Sequence, residues 1–315
     1  MLRGMPRAQR FEIKTQDLIS SAFLFSLILL ILATRDRLTD WHWLLARYLV
    51  LLALQAAVVI GRGRGLPPVL DAFYPLVPVL GIYDSLGFIP ELNPGDRDAL
   101  LLRIDRTLLG GDPSLWFERI STPWLTELFQ LAYLVYYVLP FLLLGTLYRR
   151  GIASANAPHE ARTDAQAFDL CLVALLLSHY LAFVGYMAVP ALGPRFALTS
   201  LYRTQLTGLV LAEPIGHLLN AMEGIKRDAF PSGHTSAALV SLYYAFRFTP
   251  RLARYALPAV ILMIISTMYL RYHYAADILG GMILATLCIF LAPRLLRFAH
   301  PAARLTMGPR RSGTV

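Results

Sequence analysis

Eight stretches of this chain are apolar over close to the length a helix needs to cross a lipid bilayer, and that restricts the fold more than any other feature. A spanning helix takes roughly 20 mainly apolar residues. The stretches 18–34, 43–60, 125–148 and 170–190 meet this requirement, while 231–248, 255–270 and 277–293 are shorter and begin or end beside polar residues. The stretch 66–86 is interrupted by Pro67, Pro68, Pro75, Pro78, Asp71 and Asp84. Prolines are tolerated in a span where neighbouring groups satisfy the freed backbone. Lipid admits only helices and closed barrels, so the pattern predicts an all-α, polytopic helical membrane protein of about eight transmembrane helices.

Composition supports that class. Of the 315 residues, 57% are hydrophobic and 16% are charged, against about 25% charged in soluble domains. The net charge of +9 comes almost wholly from arginine, because Lys14 and Lys226 are the only lysines. No basic stripe with interleaved aromatics appears, so nucleic acid is not an expected partner. Cys171 and Cys288 both lie inside apolar runs, which suits packing and not a disulfide framework or a metal site. No three-ligand cluster for a metal is evident, and the chemistry outlined below needs neither metal nor other cofactor.

Two polar connections stand out. In 87–123 the segment 99–109 carries charges on one helical face and leucines on the other, as in a helix lying at an interface, and Gly110-Gly111-Asp112-Pro113 ends it. In 191–230 the middle part, 205–222, is apolar but broken by Pro214, which suits a lid or re-entrant piece. With no repeat, low-complexity tract or linker, the chain reads as N-terminal membrane spans (1–97), a catalytic core (98–298) and a basic tail (299–315). Arginine placement sets orientation. Arg3, Arg7, Arg10 and Lys14, the joints at Arg62/Arg64, Arg149/Arg150 and Arg247/Arg251/Arg254, and the tail all fall on one side if there are eight spans. That side is then cytoplasmic, with both termini, in an inner membrane or endomembrane. The late polar motifs face the opposite, extracytoplasmic or lumenal side.

Those motifs carry the chemistry. Pro231-Ser232-Gly233-His234 opens one apolar stretch, and His273-Tyr274-Ala275-Ala276-Asp277 opens another. Together with Gly193-Pro194-Arg195 and Arg271 they reach the same membrane face by the order of the spans. Ionisable groups at membrane depth are expensive unless paired or used. Ser232, Gly233 and His234 at a helix N-terminus favour an anion, and Arg195 and Arg271 can present forked donors to phosphate oxygens. His273 and Asp277 are spaced i, i+4, so the carboxylate can orient the imidazole and leave its other nitrogen nucleophilic. His234 can donate and accept a proton near neutral pH.

At these residues the sequence resembles the type 2 phosphatidic acid phosphatase superfamily, over roughly 98–293. The resemblance implies a helical core and a membrane lipid phosphatase or phosphotransferase in which His273 forms a phosphohistidine, His234 is the acid/base and Asp277 orients His273. It also implies that Ser232 and Gly233 bind phosphate. The family's Lys-x6-Arg-Pro motif is absent, its place taken by Gly193-Pro194-Arg195, and the arginine of the third motif is displaced to Arg271, one helical turn on from Ser266-Thr267. Both departures resemble the branch containing inositol phosphorylceramide synthases. The implied partners are a phospholipid or other lipid phosphate, a lipid alcohol acceptor and the surrounding membrane lipids. A plain lipid phosphate or polyprenyl diphosphate phosphatase is an alternative, and a non-catalytic anion or lipid transporter is an alternative of another class.

Around this site, His179 either lines the cavity or packs. Tyr133, Tyr136 and Tyr137 read as packing or interface aromatics, Asp84 and Asp105 as capping or interfacial groups, and Lys226 and Arg227 as loop charges.

Overall fold

A computed structural model describes residues 13–153, 158–222 and 224–299; Arg3, Arg7, Arg10 and the expected basic tail from His300 onward lie outside them. Among the described residues all regular structure is helical. The chain divides into two compact units, Met1–Ser85 and Leu86–Val315.

The first unit contains α1 (Thr15–Thr34), α2 (Trp41–Arg62), α3 (Pro68–Phe73) and α4 (Leu76–Tyr83). Asp17, in the first turn of α1, accepts the Lys14 backbone N–H at 2.7 Å, the back-bonding half of a capping box. Its carboxylate also receives the Arg62 guanidinium, and Asp71 receives both Arg62 and Lys14, the latter at 2.6 Å. This ionic cluster ties the ends of α1, α2 and α3. Gln55 adds a bond to the Asp17 carbonyl at 2.7 Å.

The second unit begins with the short α5 (Ile89–Leu92) and α6 (Asp98–Leu109), followed by α7 (Pro113–Glu118), α8 (Pro123–Tyr133) and α9 (Val135–Ala153). It continues through α10 (Pro158–Ala188), α11 (Pro194–Ala197), α12 (Ala212–Met222), α13 (Gly233–Phe248), α14 (Pro250–Tyr269) and α15 (Ala275–Ala299). Proline opens α7, α8, α11 and α14, where its missing N–H costs nothing. Helix α13 is the centre, packed against α9, α10, α14 and α15. Its small residues Ala237, Ala238, Ser236 and Ser241 are buried, letting the neighbouring helices approach.

Among the described residues six helical segments are long and apolar enough to cross a membrane: Thr15–Arg37, Trp41–Arg62, Pro123–Ala153, Thr163–Ala188, Pro250–Tyr269 and Ala275–Phe298. They mark an integral membrane protein. The expected count of eight is not reached for two reasons. The stretch 66–86 breaks into α3 and α4 at Tyr74 and Pro75. Helix α13 has 16 residues, a rise of about 24 Å against a hydrocarbon core of about 30 Å.

Helix α6 differs from the expected interfacial helix in which face it buries. Asp98, Leu101 and Asp105 are buried, while Leu100, Leu108 and Leu109 are exposed. Gly110, with φ of 79°, ends it in the left-handed conformation that glycine adopts without penalty.

Candidate active site

The site is built from two helix starts and one helix end. Ser232 is the N-cap of α13: its Oγ accepts the Thr235 N–H at 3.2 Å, and its own N–H donates to the Asp277 carbonyl at 3.0 Å. Gly233 and His234 are the first helical residues, and the Phe230–Pro231 peptide that leads in is cis. The cap presses onto α15, where a Cβ at Gly281 would stand 2.6 Å from the Ser232 carbonyl oxygen. Ser232 is fully buried and its hydroxyl serves the cap.

Helix α14 ends at Tyr269 in a Schellman motif. The Tyr272 N–H donates to the Thr267 carbonyl at 2.9 Å and the Arg271 N–H to the Met268 carbonyl at 3.1 Å. This places Arg271 in the left-handed region, φ 66°, the only non-glycine residue there among those described. Arg271 therefore does not continue the helical face of Ser266 and Thr267, as its spacing suggested; the helix has already stopped.

His273 likewise precedes α15. Its pairing with Asp277 is a cap contact and not a bond along one helix. Asp277, in the first turn, reaches back so that Oδ2 accepts the Tyr274 N–H at 2.8 Å and lies 3.3 Å from His273 Nδ1. Histidine and carboxylate are both buried.

The two histidines meet. His234 Nδ1 is 3.1 Å from His273 Nε2, and on its far side His234 Nε2 is 2.6 Å from the Tyr133 hydroxyl. Tyr133, His234, His273 and Asp277 thus form one hydrogen-bonded chain drawn from α8, α13 and the start of α15. Aromatic rings wall it. Tyr272 stacks on Tyr133 with centroids 4.9 Å apart, and the Tyr136 centroid is 4.3 Å from that of His234. His179 stands behind, its Nε2 3.4 Å from the Tyr136 hydroxyl and its Nδ1 bonded to the Leu175 carbonyl. Tyr133, Tyr136 and Tyr137, expected as packing or interface aromatics, all have their rings beside His234.

Arg195 and Arg271 are brought together by backbone: the Arg195 N–H donates to the Arg271 carbonyl at 2.8 Å. Their guanidinium groups have separate partners. Arg195 donates to Asn220 Oδ1 at 2.9 Å and lies over the rings of Phe196 and Tyr272. Arg271 donates to Glu118 and to the Thr204 carbonyl, at 3.2 and 3.0 Å, and lies 3.6 Å over the Tyr202 ring. Burial lowers the Arg271 pKa, opposed by Tyr202 and Glu118. Its Nε is buried without a hydrogen-bond partner. For Glu118, desolvation acts upward but is outweighed by hydrogen bonds from Thr204 and Arg203 and by the Arg271 charge, so its carboxyl sits below the usual value.

Helix α6 supplies two supports, one a cap of the kind expected of Asp105 and the other, Asp98, not singled out in the sequence. Asp98 accepts the N–H groups of Leu192 and Gly193 at 3.0 and 2.9 Å, and the Tyr274 hydroxyl at 2.8 Å. Asp105 accepts the N–H groups of Ala275 and Ala276 at 2.9 and 2.8 Å, capping α15. Burial raises the Asp105 carboxyl pKa against the pull of those two N–H groups, and burial with the Asp98 charge raises that of Tyr274. Gly193 sits at φ 85°, and a Cβ there would stand 2.4 Å from the Tyr272 carbonyl oxygen; only glycine fits this joint. Asp105 stood out in the sequence as a carboxylate among leucines; Asp98 and Glu118 gave no such signal. Lys226 is exposed and lies 5.7 Å from the Phe196 ring, while Arg227 pairs with Asp96. No group of three His, Cys, Asp or Glu side chains among the described residues is arranged to hold a metal ion.

Residues 167–300 match the model of the PAP2 superfamily. A PA-phosphatase related-family protein of Dictyostelium discoideum is 26% identical over 196 residues, which cover 59% of this chain and 34% of that protein. The match thus spans about a third of the length of that relative. No solved structure matches the chain.

Proposed function

We propose that this chain is an integral membrane enzyme that releases or transfers a phosphate group of a lipid through a phosphohistidine at His273. The observation that carries the reading is the chain from His234 through His273 to Asp277, with contacts of 3.1 and 3.3 Å. Asp277 holds Nδ1 of His273, which directs the Nε2 lone pair away from the carboxylate as in other oriented nucleophiles. His234 Nδ1 stands beside that lone pair, in reach of a leaving oxygen. The PAP2 match over the same residues supports the reaction class.

Phosphate oxygens would be met by the N-terminus of α13 at Ser232 and Gly233 and by the forks of Arg195 and Arg271, the second of which has a buried unpaired Nε. The core 98–298 then holds all the chemistry. The motif wording and the amphipathic rim of tyrosines support a lipid alcohol as acceptor, as in the inositol phosphorylceramide synthase branch; hydrolysis uses the same intermediate. Arginines at Arg149/Arg150 and Arg247/Arg251/Arg254, at the ends of the helices away from the motifs, support an extracytoplasmic or lumenal site with cytoplasmic termini.

The test is phosphate release by purified protein in detergent from phosphatidate and polyprenyl diphosphate, and headgroup transfer from phosphoinositide to ceramide, each beside His273→Asn. Turnover is expected in wild type and absent in the variant, with an acid-labile phosphoprotein trapped only on wild type. Equal inertness of both proteins on all substrates, or an adduct that survives loss of His273, overturns the reading.

A further inference from the structure

The residue that keeps His234 aimed during the reaction is not among the motif residues. From the 2.6 Å contact between its hydroxyl and His234 Nε2, we infer that Tyr133 is a positioning residue that fixes which nitrogen of His234 exchanges protons and keeps that nitrogen facing the phosphorus. The inference rests on the phosphohistidine reading above and deepens it.

The His234 ring is held by His273 at Nδ1 and by Tyr133 at Nε2. The first contact must open, because the Nε2 lone pair of His273 that it engages is the pair that bonds to phosphorus. A histidine held less firmly turns more readily about its outer torsion, where the energy wells are broad. The second contact survives the step and opposes this. Tyr133 is built to make that contact. It is fully buried, stacks on Tyr272 at 4.9 Å and lies 6.2 Å from Tyr137. It is also the last residue of α8, where the long segment Pro123–Ala153 is interrupted before α9. One turn and more earlier on α8, Thr126 bonds the Tyr269 hydroxyl at 2.8 Å, which holds α8 against the end of α14 that carries Arg271 and His273.

In the imidazolium form of His234, Nε2–H donates to the Tyr133 oxygen and Nδ1–H faces the substrate. The His273 Nε2 pair forms the N–P bond, the P–O bond to the leaving group breaks with its pair on oxygen, and that oxygen takes the Nδ1 proton. Neutral His234 keeps Nε2–H on Tyr133, so the lone pair it gains lies on Nδ1. That pair accepts the proton of a water or alcohol whose oxygen bonds to phosphorus, while the N–P bond returns its pair to His273. Without the Tyr133 oxygen, the neutral tautomer and ring orientation are no longer selected.

The experiment uses full-length protein in detergent and two phosphomonoesters. Phosphatidate has an alkoxide leaving group that needs a proton; 4-nitrophenyl phosphate has one that does not. In rapid-mixing measurements Tyr133→Phe, which removes only the hydroxyl, is expected to slow phosphorylation of His273 by phosphatidate by about tenfold or more, a part of the full acid–base contribution, with phosphorylation by 4-nitrophenyl phosphate close to wild type; kcat should fall on both esters, because breakdown of the phosphohistidine uses the same tautomer of His234. Combined with His234→Asn it should cost nothing beyond His234→Asn alone, as for residues acting as one unit. Tyr255→Phe, at an exposed tyrosine of α14, serves as a control and should leave both phosphorylation rates at the wild-type value. Should Tyr133→Phe fail to fold, 3-fluorotyrosine at position 133 keeps the packing and alters only hydroxyl acidity, and a shifted pH profile of kcat on phosphatidate is expected.

Equal losses in the phosphorylation of His273 by both esters, full additivity with His234→Asn, a wild-type phosphorylation rate with phosphatidate, or an unmoved pH profile with fluorotyrosine each overturn the role of Tyr133. Turnover retained by His273→Asn, or wild type inert on both esters, overturns the phosphohistidine reading instead, so the two failures are told apart.

Discussion

The hydroxyl of Tyr274 donates to Asp98 Oδ1 over 2.8 Å, although the two residues are 176 positions apart in the chain. The same carboxylate takes the N–H groups of Leu192 and Gly193, so one buried side chain on α6 fixes both the loop that carries Arg195 and the joint that carries His273. Rigid support of this kind is what holds reacting groups to the tolerances catalysis needs.

Replacing that carboxylate should loosen both joints at once. Asp98→Ala leaves three donors without their acceptor, each costing about 1–3 kcal/mol when buried. The melting temperature in detergent is expected to fall by several degrees and phosphate turnover to fall more than tenfold. Asp98→Asn, which retains an acceptor oxygen, should lie between. A melting curve for Asp98→Ala that overlays wild type would show that α6 is not a support.

Arg271 allows function to be separated from fold. Its left-handed backbone, φ 66°, costs a non-glycine residue on the order of 1 kcal/mol, and glycine is the usual occupant of this position in a Schellman motif. Arg271→Gly should therefore leave the helix end intact and the melting temperature near wild type, while removing the guanidinium from the site. Loss of a charged hydrogen-bond donor of about 1.5–3 kcal/mol corresponds to a drop in kcat/KM of roughly ten- to hundredfold. Steady-state kinetics on phosphatidate reads this directly; unchanged kcat/KM would remove Arg271 from the phosphate grip.

Glu118 gives a pH dependence with a definite sign. Folded, its carboxyl lies below its ordinary value of 4.5 because the Thr204 and Arg203 hydrogen bonds and Arg271 outweigh desolvation. Its contribution is present above that ordinary value and is lost as pH falls through the lower, folded value. The segment it anchors, around Arg203 and Thr204, should accordingly become more open to proteolysis as pH drops from that ordinary value through the lower, folded one. Glu118→Gln should show faster cleavage near neutral pH and no such transition. Limited proteolysis across the pH range, with cleavage sites identified by mass, distinguishes the two.

Helical class, membrane insertion and the placing of His234, His273 and Asp277 at or beside helix starts are legible because the signals behind them are local: runs of apolar residues, a Pro-Ser-Gly turn before a helix, and an acid four residues after a histidine. Even there local rules misled in detail. The i, i+4 spacing suggested one continuous helix, whereas α14 stops at Tyr269 and α15 begins after His273, so Asp277 reaches His273 across a helix cap. Arg271, one helical turn on from Ser266-Thr267 by its spacing, likewise lies beyond the end of α14.

What tertiary structure alone decided is the set of partners. An aspartate among apolar residues looks the same in sequence whether it is exposed and paired with an arginine, like Asp84 with Arg47 and 71% of its side chain exposed, or meets buried backbone N–H groups, as Asp105 does at Ala275 and Ala276. A tyrosine in an apolar run likewise gives no sign of whether its hydroxyl meets lipid or, as with Tyr133, a histidine 101 residues further on. Apolar runs and capping patterns are properties of neighbouring residues, so the sequence by itself determined where helices form and which residues stand at their ends. Hydrogen-bond partners depend on how distant helices pack, and the packing of α6 and α8 against the starts of α13 and α15 turned two short motifs into a supported site.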